Sequence, residues 1–167
     1  GVVAVMRTIR AFLIAPILIC ALANAPIASA QTPGQPADER AMQDKLPKAE
    51  SPLWSKFVKC KVGYNNKTGI YRIAVTPEVS ALAGQTVTVY GFVLPLDGSD
   101  HTKHFLLTRR TPVCMFCPPG EPNEVVEVVS PRAIVWTDKI VTVTGPLSLI
   151  NNGEKGMFFK IAASAVR

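Results

Sequence analysis

The stretch Gln85-Thr-Val-Thr-Val-Tyr-Gly-Phe-Val-Leu94 decides the fold class of this sequence. Val87, Val89 and, beyond Gly91, Val93 fall on one face, which is the period-two pattern of a strand with one buried side. A glycine inside such a strand indicates a bulge or a sharp coil of the sheet. We therefore predict a strand over 85–94 that bends near Gly91.

Short apolar runs bounded by turn residues continue this pattern on both sides of the strand. Thr76-Pro77 and Gly84 are residue types that begin and end a helix, which predicts one short helix between them. Many short strands with one helix are typical of a small barrel or sandwich. We predict a mainly β, OB-like, partly open barrel, with a β-sandwich as the alternative. The further strands are predicted over 57–62, 70–75, 104–108, 124–129, 134–137, 139–144, 147–150 and 157–163.

The N-terminal segment has the three parts of a secretory signal peptide. Arg7 and Arg10 form a short positive region, residues 11–23 are apolar, and Ala28-Ser-Ala30 is an A-x-A cleavage site. Prolines interrupt the apolar run, which is shorter than the roughly 20 residues that a membrane span needs. We therefore expect a periplasmic or secreted protein with no stable membrane anchor after cleavage. The predicted segments are a signal peptide over 1–30, a flexible leader over 31–52 and a β-barrel-like domain over 53–167.

Charge and motif content exclude several functions. The formal net charge is +6, but the basic residues are scattered and form no run or aromatic-and-basic stripe, so we predict no nucleic-acid partner. The sequence contains no Gly-x-Ser-x-Gly motif, no phosphate-binding glycine loop and no recognisable Ser/His/Asp pattern. These observations favour a non-enzymatic protein and name no catalytic residue.

The segment Cys114-Met-Phe-Cys117-Pro-Pro is the best candidate for chemistry. Two thiols at this spacing can bind a soft metal ion, close a small disulfide ring or exchange disulfides. The sequence has two histidines, His101 and His104, just before this segment. Cys114, Cys117, His101 and His104 form a candidate zinc or copper site, provided that the loop after strand 104–108 folds back toward the histidines. The alternative is that the two histidines are exposed polar residues at the start of a strand.

The expected compartment leaves the state of the cysteines open. In an oxidising environment a Cys114–Cys117 disulfide is the alternative to metal binding. Prolines follow Cys117 and precede Cys114, which disfavours the helix N-terminus that a thioredoxin-type enzyme needs. Cys60 is predicted to be a buried core residue, because free cysteine is commonly buried. The alternative is that Cys60 is a third metal ligand or a disulfide partner. Trp54 and Trp136 are also predicted to lie in the core.

Several segments together resemble a family of small exported bacterial proteins known only as a domain of unknown function. They are Val87-Thr-Val-Tyr-Gly-Phe-Val-Leu-Pro-Leu96, His104-Phe-Leu-Leu107, Cys114-Met-Phe-Cys117-Pro-Pro-Gly-Glu-Pro-Asn123 and Gly156-Met-Phe-Phe-Lys-Ile161. Because members are often associated with ABC-type transporters, some linked to metal supply, the resemblance implies an accessory role outside the inner membrane.

The sequence suggests three functions, which are given in order of preference. The first is a non-enzymatic periplasmic accessory or binding protein that handles a soft metal ion or zinc beside an ABC-type transporter. The second is a protein-interaction module of an envelope assembly, in which Cys114–Cys117 is a structural disulfide. The third is a thiol–disulfide oxidoreductase that uses the same pair.

Overall fold

The computed structural model describes residues 36–115 and 119–167. The described helices are α1 (Ala37–Gln43), α2 (Pro52–Phe57) and α3 (Pro77–Ser80), and a 3-10 turn spans Pro122–Glu124. None of these helices is long and apolar enough to cross a membrane. The predicted signal peptide over 1–30 lies outside the described residues. The described strands are β1 (Lys61–Asn65), β2 (Ile70–Ala74), β3 (Thr86–Pro95), β4 (His101–Thr108), β5 (Val125–Val135), β6 (Val141–Asn152), β7 (Met157–Ala162) and β8 (Ala165–Val166).

Five strands form a closed barrel in the order β3-β4-β5-β7-β6, and β6 pairs back to β3. The β5–β7 pair is parallel, and the other barrel pairs are antiparallel. A five-stranded Greek-key barrel is the OB type of architecture. The mainly β, OB-like prediction is therefore confirmed, and the chain adopts this barrel instead of the alternative sandwich. The barrel is closed by the β3–β6 pair, whereas the sequence predicted a partly open one. Strands β1 and β2 form a separate two-stranded sheet.

Strand β3 changes its strand partner at the glycine that the sequence indicated. It pairs with β6 up to Gly91 and with β4 from Phe92 onward. A Cβ atom at position 91 would lie 2.7 Å from Leu107 Cγ, so a residue without a side chain is needed where the strand passes from one neighbour to the other. The change of partner at Gly91 agrees with the predicted bulge or sharp coil of the sheet.

Helix α2 packs against the barrel core. The ring of Phe57 stacks on Phe159 with centroids 4.0 Å apart, and Trp54 Nε1 donates a hydrogen bond to the Tyr90 carbonyl at 2.7 Å. The prediction of a strand from residue 57 is wrong in its first half, because Pro52 occupies the first turn of a helix that runs to Phe57.

Cys60 lies between α2 and β1 and is buried at 1% exposure. Its predicted place in the core is confirmed.

Two pairs of predicted strands are single strands in the structure. Val125–Val135 replaces the predicted strands over 124–129 and 134–137, and its register with β4 shifts between Thr102 and His104. Val141–Asn152 likewise continues through Gly145-Pro146. A glycine lets this strand coil past its neighbour instead of ending there.

Residues 37–51, which the sequence places in the leader, pack against the barrel domain. Gln43 and Ala49 are almost fully buried, and the backbone of Lys48 bridges that of Arg110. Lys48 and Arg110 are more than 60 positions apart in the sequence. A local sequence pattern therefore cannot predict this contact.

Candidate functional site

A small pocket opens where the second half of β3 meets two loops. Its volume is about 190 Å³. One wall is the β3 segment 92–94, the second is residues 111–115, and the third is residues 136–138 beyond β5. Cys114 lies in the second wall. The pocket therefore contains the first of the cysteines that the sequence singled out.

Two large apolar side chains of this pocket are exposed to solvent. Trp136 is 47% exposed and Met115 is 56% exposed, although both line the pocket. Val135 and Ile140, on either side of Trp136 in the chain, are exposed as well. The prediction that Trp136 lies in the core is wrong, because the residue follows the last position of β5 and precedes a polar turn. Apolar groups gathered at one surface are typical of binding sites.

Two buried polar side chains of α1 hold the base of the Cys114 loop, which we define as residues 111–121. Gln43 Nε2 donates to the carbonyl oxygens of Thr111 at 3.0 Å and Pro119 at 3.1 Å, on opposite limbs of the loop. Arg40 Nη2 lies 2.9 Å from Glu121 Oε1. Helix α1 therefore ties the two limbs together and belongs to the site.

A second ionic cluster lies beside the loop and centres on Glu124, which is 4% exposed. Its carboxylate accepts from Arg109 Nη1 at 2.9 Å and from Arg110 Nε at 2.6 Å. Arg110 also pairs with Asp44 just beyond α1. Burial acts to raise the pKa of Glu124, but hydrogen bonds and positive charge from Arg110, with further hydrogen bonds, hold that pKa below its ordinary value. The carboxylate is therefore ionised at neutral pH and links the loop to α1.

The two histidines lie on β4, and neither lines the pocket that contains Cys114. His104 Nε2 lies 2.7 Å from Glu127 Oε1, and Lys160 Nζ lies 3.5 Å from the same oxygen. His101 begins the strand opposite Val135. Within residues 36–115 and 119–167 no three His, Cys, Asp or Glu side chains are grouped to hold a metal ion. Cys117 lies outside the described residues, so the site of Cys114, Cys117, His101 and His104 stays a prediction.

Sequence reasoning identified Cys114 but missed Arg40, Gln43 and Trp136 as parts of the site. The sequence places Arg40 and Gln43 in the predicted flexible leader, so their contacts with the loop were not expected. The polar Thr137-Asp138 that follows Trp136 was the one available sign that this tryptophan lies at a strand end.

The fold and the pocket define a small, mainly β barrel protein with an apolar site beside a cysteine-containing loop. The model of the family described as "Protein of unknown function (DUF3299)" matches residues 32–161, and the chain belongs to this family. This confirms the resemblance to a domain-of-unknown-function family.

Among solved structures, the chain is similar to a DUF3299 family protein from Pseudomonas aeruginosa PAO1. The two are 22% identical, the match covers 86% of this chain and 87% of the other, and the TM-score is 0.49. No curated protein matches the chain significantly.

Proposed function

We propose that this protein is a non-enzymatic accessory protein outside the cytoplasm that binds a protein of an envelope assembly. The observation that carries this proposal is the exposure of Trp136 and Met115 around one apolar pocket. Tryptophan and methionine are enriched at protein–protein interfaces, and burying both against a partner removes apolar surface from water. The proposed binding surface consists of Met115, Trp136 and the pocket between them.

The way in which the loop is held supports binding more than catalysis. Gln43 joins both limbs of the Cys114 loop, and Arg40 pairs with Glu121 at its end. Residues held by buried contacts at the base of a loop lose little conformational entropy when a partner docks, which increases affinity.

We further propose that Cys114 and Cys117 form a disulfide that closes the loop. Cys114 is disulfide-bonded and the buried Cys60 is free, so Cys60 is not its partner, which supports this pairing. The oxidising compartment implied by the predicted signal peptide favours the same state. The proposal that the protein is exported depends on the predicted signal peptide over 1–30. The proposal that its partner is an ABC-type transporter depends on the family resemblance.

Site-specific photo-crosslinking in cells of the organism that makes the protein tests the binding surface. A photoreactive residue is placed at Trp136, and a matched one at Leu96, which is 42% exposed but does not line the pocket. We expect one discrete adduct with an envelope protein from position 136 and none from position 96. The absence of an adduct at 136, or equal adducts from both positions, would contradict the proposal.

Metal binding is the second candidate function, because the sulfur-containing side chains of Cys114 and Met115 line the same pocket. Thiolate and thioether ligands suit Cu(I), and thiolates also suit zinc. This function requires Cys114 and Cys117 to be reduced. His101 and His104 can be further ligands only if the loop that carries the cysteines folds back toward them. Titration of the reduced protein with Zn(II) and with Cu(I), beside a Cys114→Ser/Cys117→Ser double variant, tests it. Equal affinity of the two proteins excludes the site.

A further inference from the structure

Strand β3 has an open edge inside the pocket. Its pairing with β6 ends at Gly91, whereas its pairing with β4 runs from Phe92 to Pro95. Beyond Gly91 the side of β3 that faced β6 therefore has no strand beside it among the described residues. The pocket wall formed by residues 92–94 belongs to this segment.

The hydrogen-bond pattern shows which backbone groups face that open side. The Leu96 N–H donates to the His104 carbonyl at 3.1 Å, so Leu96 faces β4. In an antiparallel ladder the hydrogen-bonded pairs alternate. Phe92 and Leu94 therefore face β4 as well, and the N–H and C=O of Val93 point to the opposite side, where β6 no longer runs.

The hydrogen bonds between β3 and β6 give the same assignment independently. The Leu147 N–H donates to the Gln85 carbonyl at 2.9 Å, which makes the odd-numbered residues of β3 face β6. Gly91 is the last residue with a β6 partner, and Val93 is the next residue on that side. Pro95 follows on the same side and has no N–H, as is usual for proline at a sheet edge.

Val93 is nevertheless buried. It is 2% exposed and lines the pocket, so its outward backbone groups have access to a partner only through the pocket. Among the described residues these two groups form none of the backbone hydrogen bonds that β3 makes outside its strand pairs. A buried N–H and C=O that lack partners cost free energy comparable to a lost hydrogen bond. An extended peptide offers both a carbonyl and an N–H at the spacing that such a pair of groups needs.

The charge of the pocket wall specifies the peptide further. Asp138 lines the pocket, is exposed and forms no ion pair within the described part of the chain. The neighbouring Lys139 does not line the pocket. A basic side chain on the bound peptide therefore complements Asp138, while an apolar side chain covers Trp136.

We propose that the pocket binds an extended segment of a partner protein by adding a short strand to β3 at Val93. The segment presents one apolar side chain to Trp136 and one Lys or Arg to Asp138. This inference rests on the proposed binding function, since it specifies how the partner is recognised at that surface.

A phage-displayed library of random peptides of about ten residues, selected against the oxidised full protein, supplies the probe. The Val93→Pro variant removes the outward N–H without removing a bond to β4, because Val93 and Leu107 form a non-hydrogen-bonded pair. The Val93→Ala variant is the matched control, since it shortens the side chain and keeps the N–H. Circular dichroism checks that both variants fold.

We expect the selected peptides to contain Lys or Arg beside an apolar residue. They should bind Val93→Pro about tenfold more weakly than the native protein and bind Val93→Ala with a much smaller loss. N-methylation of the central peptide residue should weaken binding by a similar factor, and this measurement holds even where Val93→Pro does not fold. Asp138→Asn should weaken binding and reduce its salt dependence.

Failure of the library to yield a binder, or equal binding of N-methylated peptides, overturns strand addition. Peptides that tolerate both Val93→Pro and N-methylation but lose binding to Trp136→Ser also overturn it, while leaving the apolar binding surface in place. The absence of a crosslink from position 136 in cells overturns both the proposed binding function and strand addition.

Discussion

Glu124→Gln tests the ionic cluster that joins the loop region to α1. Glutamine has nearly the same shape as glutamate, so the substitution removes the charge and keeps the packing. Arg109 and Arg110 lie 2.9 Å and 2.6 Å from the Glu124 carboxylate, and Glu124 is 4% exposed. Removing one partner of a fully buried ion pair costs about 3–5 kcal/mol.

The expected cost here is somewhat smaller. The side chains of Arg109 and Arg110 are 22% and 14% exposed, so water partly solvates them after the substitution. Arg110 also keeps Asp44 as a partner. We therefore expect Glu124→Gln to lower the free energy of unfolding at pH 7 by about 2–3 kcal/mol.

The pH dependence gives an independent check with a definite sign. The pKa of Glu124 in the folded protein lies below its ordinary value of 4.5. The charged carboxylate therefore stabilises the fold fully above that ordinary value, and the stabilisation is lost as the pH falls through the folded pKa. The difference between the native protein and Glu124→Gln should be constant near neutrality and should shrink below about pH 4.5.

Urea unfolding followed by tryptophan fluorescence from pH 7 down to about pH 3 measures both quantities. Glu154→Gln is the matched control, because Glu154 is exposed and forms no ion pair within the described residues. A loss below about 0.5 kcal/mol at pH 7, or a loss equal to that of the control, would refute the structural role assigned to the cluster.

Three further substitutions test the loop and the core by thermal or urea unfolding. Gln43→Ala should cost about 1–3 kcal/mol and speed amide exchange at the loop base, because two carbonyls lose their donor; the exposed Gln85→Ala should cost much less, and equal losses would contradict this. Gly145→Ala should cost at least about 2 kcal/mol, because its Cβ would lie 2.3 Å from a backbone oxygen, whereas Gly63→Ala meets nothing within 4 Å. Phe57→Ala should cost about 3–5 kcal/mol through the cavity left beside the stacked ring, and a cost below about 1 kcal/mol would argue against that packing.

Local sequence patterns predicted the barrel strands because their information lies within a few residues. The alternation around Val87 and Val89 identified β3, and Gly91 marked the point where its strand partner changes. Thr76 accepts a hydrogen bond from the Val79 N–H at 3.3 Å, as expected for the residue that caps α3. The start of α2 was missed although Ser51-Pro52 is a helix-start signal, since the apolar residues that follow also fit a strand.

The sequence by itself determined most of the strand positions and the OB-like barrel, and it predicted the cysteine loop as the place to look for function. Only the tertiary structure decided that Gln43 and Arg40 hold that loop, since their partners lie 68 to 81 residues away. It also decided that Trp136 is exposed and that Val93 faces an open edge. These properties depend on which strands become neighbours when the barrel closes, and strand pairing between distant segments has no signature in the local sequence.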